Sequence, residues 1–284
     1  METLVLRHSR IRLALLIVKN KIKMWYQKLP FRIGATSCIY PDDILPNVRK
    51  LKGEIDDIEL VLFKTDNAGN IPKRKDLQEL KRISSKWNLT YTVHLPLDID
   101  LGTAIGDKRK DSIKKTRMLI ECLSVLNPYA YILHLNLSKQ DERNIQFWQD
   151  RINQALKMIA KFQPALAQNI AIENLSYPFS YIDTLILENG FSTCVDIGHL
   201  IIMGVNPLKH LKRYFSATRV IHLHGVNRNK DHTSLKYLDA VLINRIVRFL
   251  KDSNYCGVLT LEVFSQADLK ESMDVLRKEV IKNK

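Results

Sequence analysis

After Pro30 the chain keeps one beat to its end: a short apolar run, then a longer segment with helical periodicity, eight times over. The runs are FRIGAT (31–36), DIELVLF (57–63), YTVHL (91–95), YILHL (131–135), IAIEN (170–174), TCVDI (193–197), RVIHLH (219–224) and VLTLEV (258–263). Short apolar runs bounded by polar and turn residues read as strands. Between and after them, residues 44–53, 73–87, 108–126, 142–162, 178–190, 206–215, 234–252 and 266–281 read as helices. Their apolar residues recur at three and four, and several begin with Asn, Ser or Asp where a helix needs a cap. Neighbouring runs start more than twenty residues apart, which leaves room for a crossover helix and not for a hairpin, so parallel strands are expected. Eight of them favour closure into a (β/α)8 TIM barrel, an α/β fold, over an open doubly wound sheet. No run is followed by GxGxxG, and GxxxxGK[ST] does not occur, which removes the main argument for a dinucleotide-binding or P-loop fold.

With 284 residues the chain sits near the size at which one core stops growing, and no Gly-, Pro- or Ser-rich linker divides it. A single barrel domain over 31–284 is expected, preceded by a basic extension over 1–30. That extension holds seven Lys and Arg against one Glu, +6 of the formal +14. Its longest apolar run, LALLIV, is too short to span a bilayer, and no small-residue cleavage site follows it. It reads as a surface helix or a poorly ordered segment, with peripheral membrane contact through Leu4, Ile11, Leu15 and Val18 as the alternative. The positive excess favours phosphate-bearing partners without choosing among nucleic acid, lipid and small molecules. Cys38, Cys122, Cys194 and Cys256 form no CxxC pair; isolated thiols fit a reducing cytoplasm, and packing is their simplest role.

In a closed parallel barrel the active site lies at the C-terminal ends of the strands. Ionisable residues gather where those ends are expected: His94 after the third run, His134 after the fourth, Glu173 in the fifth, Asp196 in the sixth with His199 just beyond, His222 and His224 in the seventh, and Glu262 in the eighth. Asp231 and His232 follow in the next loop. One such histidine is most simply a hydrogen-bonded structural residue, and His224 fits a loop cap. Several imidazoles and carboxylates buried together without cations would carry a severe desolvation and repulsion cost. Nitrogen and carboxylate donors suit Mn²⁺ or Zn²⁺, with Fe²⁺ a third choice. His94, His134, Glu173, Asp196, His199, His222, Asp231, His232 and Glu262 exceed one tetrahedral shell, so two or three divalent ions are expected, with Glu173 and Glu262 bridging. Such clusters hydrolyse phosphoesters by activating water and neutralising the oxygens on phosphorus.

The order His, His, Glu, Asp-x-x-His, His, Asp/His, Glu over roughly 31–270 resembles the xylose-isomerase-like barrel superfamily, and within it the endonuclease-IV-like phosphodiesterases. The resemblance implies His94 and His134 on one metal, Glu173 bridging, Asp196 and His222 on a second, His199 with Asp231 and His232 on a third, and Glu262 as the last bridge. It casts Glu262, Glu173 and His199 as the catalytic set. Asp231 and His232 are adjacent here, where that pattern has one residue between them. The stretches FRIGATSCIYPDDILPNVRKL, DDIELVLF and HLPLDIDLG are more closely similar to the cobamide-remodelling phosphodiesterases (CbiR), a branch of the same superfamily. That resemblance implies cleavage of the nucleotide loop of a cobamide to cobinamide phosphate and an α-riboside of the lower base. The partner is then a corrinoid too large for a closed pocket. Asp98 and Asp100, in the loop after the third run, and Arg228 and Lys230, after the seventh, are the candidate substrate contacts.

Three other readings stand beside it. An abasic-site DNA endonuclease would share the ligands and the basic charge, but no stretch combines an aromatic wedge with flanking arginines; Arg109 and Lys110, after the third run, are candidates for its DNA contacts. A sugar isomerase or epimerase needs one metal on Glu173, Asp196, His222 and Glu262 and has no use for His94, His134 and His232. A non-catalytic barrel binding metal or corrinoid would need its open coordination positions filled by protein groups.

Overall fold

The computed structural model describes residues 25–26, 29–66, 69–162, 164–228 and 230–282. Eight parallel strands close a barrel: β1 (Arg32–Thr36), β2 (Asp57–Val61), β3 (Thr90–His94), β4 (Ala130–Leu133), β5 (Ile170–Glu173), β6 (Ser192–Asp196), β7 (Thr218–Leu223) and, last in the chain, β10 (Val258–Leu261). Each pairs with its neighbour in sequence, and β10 returns to β1 through Arg32 opposite Val258 and Ala35 opposite Leu261. Every run expected to be a strand is one, within a residue or two at the ends. The sequence pattern does not anticipate a two-stranded antiparallel ribbon, β8 (Gly225–Asn227) with β9 (Lys230–Thr233), in what reads as a plain loop.

Around the barrel run α1 (Ile44–Leu51), α2 (Arg74–Trp87), α3 (Gly106–Leu123), α4 (Ile145–Phe162), the single turn α5 (Pro164–Ala167), α6 (Asp183–Glu188), α7 (Ile197–Ile202), α8 (Pro207–Tyr214), α9 (Ala240–Asp252) and α10 (Gln266–Lys282). The spacing of apolar residues explains which face each presents: α2 buries Leu77, Leu80 and Ile83, and α9 buries Ile243, Ile246, Val247 and Leu250. Side chains stop the exposed amides at several starts, with Asn206 Oδ1 accepting from Lys209 N at 2.9 Å and Asp239 Oδ1 from Val241 N at 2.9 Å. Asn88, Asn127 and Asn254 take the left-handed conformation just past helical segments, which asparagine tolerates better than most residues.

Two apolar layers result. The larger lies between strands and helices; the smaller, Ala130, Ile132, Ala171, Cys194 and Val220, fills the barrel interior. Because side chains alternate along a strand, the residues two positions beyond these interior ones also face inward. Ile132 leads to His134, Ala171 to Glu173, Cys194 to Asp196, and Val220 to His222. Small side chains low in the barrel and ionisable ones at its C-terminal mouth are therefore one pattern.

The packed unit begins earlier than Phe31. Trp25 and Tyr26 are buried, and the Tyr26 hydroxyl donates to Glu54 O at 2.8 Å. The membrane-contact reading of the extension falls on Leu4, Ile11, Leu15 and Val18, which lie outside the described residues. Among the described residues no helix is long and apolar enough to cross a membrane, and the four cysteines are free thiols.

Candidate metal centre

Glu173, at the end of β5, sits at the middle of the mouth. Its Oε2 is 2.8 Å from His134 Nε2 and 3.5 Å from His94 Nε2, and its Oε1 is 3.4 Å from His199 Nδ1 and 3.6 Å from His222 Nδ1. Glu262, just past β10, places Oε2 3.1 Å from His222 Nδ1 and 3.3 Å from His232 Nε2. Asp196 closes the ring, with Oδ2 3.8 Å from both His199 Nδ1 and His222 Nδ1. Donor atoms fall into overlapping groups able to hold an ion, among them Glu173, Asp196, His222 and Glu262; His94, His134 and Glu173; and Asp196, His199, His224 and His232. Of the nine candidate ligands, eight meet here.

Asp231 is the exception. It belongs to none of these groups among the described residues; its Oδ1 lies 3.0 Å from His232 Nδ1, on the far side of that ring from Glu262. With no residue between them, the Asp231 carboxylate meets the near nitrogen of the His232 ring instead of the centre. Asp231 thus orients the imidazole whose other nitrogen faces the centre.

Two residues outside the expected ligand set belong to the site: Glu59, which the sequence reading missed, and His224, which it placed at a strand end as a loop cap. Glu59, in the middle of β2, is fully buried and places Oε2 2.9 Å from His222 Nε2. A second carboxylate two residues after Asp57, inside a run of buried apolar residues, was the available signal. His224 is the other: its Nδ1 accepts the His232 backbone N–H at 2.9 Å, and its Nε2 lies 3.1 and 3.2 Å from the two Asp196 oxygens. An imidazole whose Nδ1 accepts carries its proton on Nε2, so His224 donates to Asp196 and holds that carboxylate in place. Although geometry alone would group it with the ligands, its lone pair is already used.

The donors fit a divalent cation. His94 Nδ1 is 3.0 Å from Leu95 O and His199 Nδ1 is 3.1 Å from Asn174 O, carbonyls that accept a ring proton and leave each Nε2 with its lone pair. His222 Nε2 faces Glu59, leaving Nδ1 as a lone pair toward Glu173 and Glu262. Among the described residues, His222 Nδ1, Glu262 Oε2 and Glu59 Oε1 are buried with no hydrogen-bond partner. Lone pairs facing carboxylates repel unless positive charge lies between them. In the metal-free chain protonation of the surrounding imidazoles supplies that charge: burial would raise the Glu173 and Glu262 carboxyls, yet His134 and His222 beside Glu173, and His222 and His232 beside Glu262, hold both well below the ordinary range.

The remaining candidates lie away from this cluster. Asp98 ties two loops together, accepting from Thr65 N at 3.1 Å and Thr65 Oγ1 at 2.6 Å; Asp100 Oδ1 accepts from Gly102 N at 3.1 Å. Both brace the wall of the mouth. Arg228 and Lys230 are exposed at the tip of the β8–β9 ribbon, where Arg228 has φ 57°. His232 also has a positive φ, 50°, a strained setting for a side chain of this size. Its backbone is held there by the bond to His224.

A family model described as the xylose-isomerase-like TIM barrel matches residues 50–279. The chain belongs to that family. Among solved structures, a D-tagatose 3-epimerase-like protein aligns with a TM-score of 0.76 and 18% identity, covering 88% of this chain and 97% of that one. The 3-keto-D-glucoside 4-epimerase of E. coli aligns at 0.69 with 16% identity over 88% and 98%, and endonuclease IV from Thermus thermophilus at 0.67 with 12% over 88% and 99%. At such identities these likenesses speak to fold alone. No curated protein matches the sequence. The chain is a xylose-isomerase-like barrel with a buried His, Asp and Glu centre suited to divalent metal.

Proposed function

We propose that this xylose-isomerase-like barrel is a divalent-metal phosphodiester hydrolase acting on the nucleotide loop of a cobamide. The observation that carries the hydrolase class is the surplus of donors. Glu173, Asp196, His222 and Glu262 suffice for one ion, yet His94 and His134 flank Glu173 on one side and His199 and His232 approach Asp196 and Glu262 on the other. Divalent cations bound there would neutralise a phosphodiester and lower the pKa of water. The chain's own groups hold that charge in place: Glu173 and Glu262 each lie between imidazoles, His224 fixes Asp196, and Asp231 fixes His232. In the reaction water adds to phosphorus, the P–O bond to the riboside breaks, and the riboside oxygen takes a proton, so phosphate stays on the cobinamide. The cobamide itself is supported by the resemblance of residues 31–51, 56–63 and 94–102.

A second reading, a one-metal sugar epimerase, is favoured by the quartet Glu173, Asp196, His222 and Glu262 and by the likeness to solved epimerases, which leans toward it more than toward a hydrolase. One experiment separates them. Mn²⁺-loaded protein is incubated with a panel of cobamides, abasic-site DNA and ketohexoses, and the products are read by mass spectrometry and sugar chromatography beside metal content per chain. Cobinamide phosphate with two or three metals supports the hydrolase; epimerised sugar with one metal overturns it.

A further inference from the structure

Beside the metal centre lies a cavity of about 420 Å³ that the ligand set does not use. Its size falls within the range of about 300–1,000 Å³ typical of small-molecule sites. Asn174 belongs to both places: it lines the cavity, follows Glu173 directly, gives its carbonyl to His199 Nδ1 at 3.1 Å, and exchanges hydrogen bonds with the Asp196 backbone at 2.8 and 3.0 Å.

The wall is aromatic and cationic. Phe179, His210 and Tyr214 form a cluster with ring centroids 4.7 to 5.4 Å apart, and Tyr177 lines the same space. Among the described residues His210 Nε2 is buried with no hydrogen-bond partner. Burial and the neighbouring Arg213 bring His210 down to about 4, so the ring is neutral near pH 7 and offers a single directional hydrogen bond. Lys209 and Arg213 add positive charge, partly offset by Asp183 at 3.3 Å from Arg213 Nη2.

Aromatic walls favour a flat ring over a free sugar. An unsatisfied imidazole nitrogen favours a ring nitrogen or ribose hydroxyl, and the cations favour an adjoining phosphate. We propose that this cavity is the subsite for a heteroaromatic riboside, the part of the phosphodiester that departs on hydrolysis. Its role as leaving-group site rests on the hydrolase reading; its affinity for the riboside does not. Epimerisation of a simple ketose would leave it without purpose.

Binding is tested by calorimetry with adenosine, benzimidazole riboside and ribose, on metal-loaded and chelator-stripped protein. Val205, part-exposed on the cavity lining, is changed to Trp to fill the space without removing a buried side chain. The ribosides are expected to bind both forms, ribose to bind neither, and Val205→Trp to weaken riboside binding at least tenfold with metal content unchanged. Ribosides that bind no better than ribose, or equally well to Val205→Trp, overturn the proposal. Riboside binding without cleavage of any phosphodiester keeps the subsite and removes the hydrolase; cobamide cleavage with wild-type KM in Val205→Trp does the reverse.

Discussion

Glu59 and His222 face each other across the barrel interior, both fully buried, with Glu59 Oε2 2.9 Å from His222 Nε2. A carboxylate in this place draws the ring proton to Nε2 and leaves the Nδ1 lone pair toward Glu173 and Glu262. Glu59→Gln keeps the shape, but its amide can donate and so stabilise the opposite tautomer. Divalent-metal affinity is expected to fall by about 10- to 100-fold, the usual effect of losing such a partner. Metal titration of the variant checks this, and unchanged affinity would show that Glu59 has no hold on the centre.

Gly198 permits the approach of His224 to Asp196. A Cβ at that position would lie 2.0 Å from His224 Cε1, so the ring would have to move away from the carboxylate. Gly198→Ala should cost about 1–3 kcal/mol of stability, the range for overpacking, and lower metal affinity as well. Urea unfolding of the chelated protein isolates the first effect. A variant as stable as the parent, with its metals retained, would contradict the packing argument.

Metal and proton compete for the same positive role, and this fixes the pH dependence. In the metal-free chain burial opposes charging of His94 and His232, but Glu173 beside the one and Glu262 beside the other raise both to about 9. A histidine whose folded pKa lies above its ordinary 6.5 contributes stability below 6.5 and loses it as pH rises toward 9. Chelated protein should therefore lose thermal stability between pH 6.5 and 9. Mn²⁺-loaded protein should not, since metal binding displaces those protons and strengthens as pH rises. Parallel melting curves for the two forms across that window would be inconsistent with this account.

Glu262 contacts two imidazoles at once, His222 at 3.1 Å and His232 at 3.3 Å. Glu262→Gln preserves volume and removes the charge, so turnover should fall by more than about 10²-fold, beyond the usual effect of an outer partner, while the fold persists. Circular dichroism and single-turnover assays on the cobamide panel together decide it. Wild-type turnover in a folded Glu262→Gln would remove Glu262 from the centre.

The eight strands were legible because buried parallel strands and their covering helices leave local patterns in apolar residues. His94, Glu173, Asp196 and Glu262 were legible because ionisable groups at the ends of such strands have few other uses. Register and closure decided the rest. The alternation in DIELV defines two faces without saying which is interior, and only the pairing of β2 with β1 and β3 turns Glu59 toward His222. The β8–β9 ribbon, which sends His232 inward and Asp231 outward, depends on contact between its own strands and with His224. The cavity beside Asn174 is bounded by segments that meet only once the barrel has formed. Sequence carried what one strand or helix determines through its own periodicity; the tertiary structure alone decided which side chains from distant strands share one desolvated space, because that depends on how the strands close on one another.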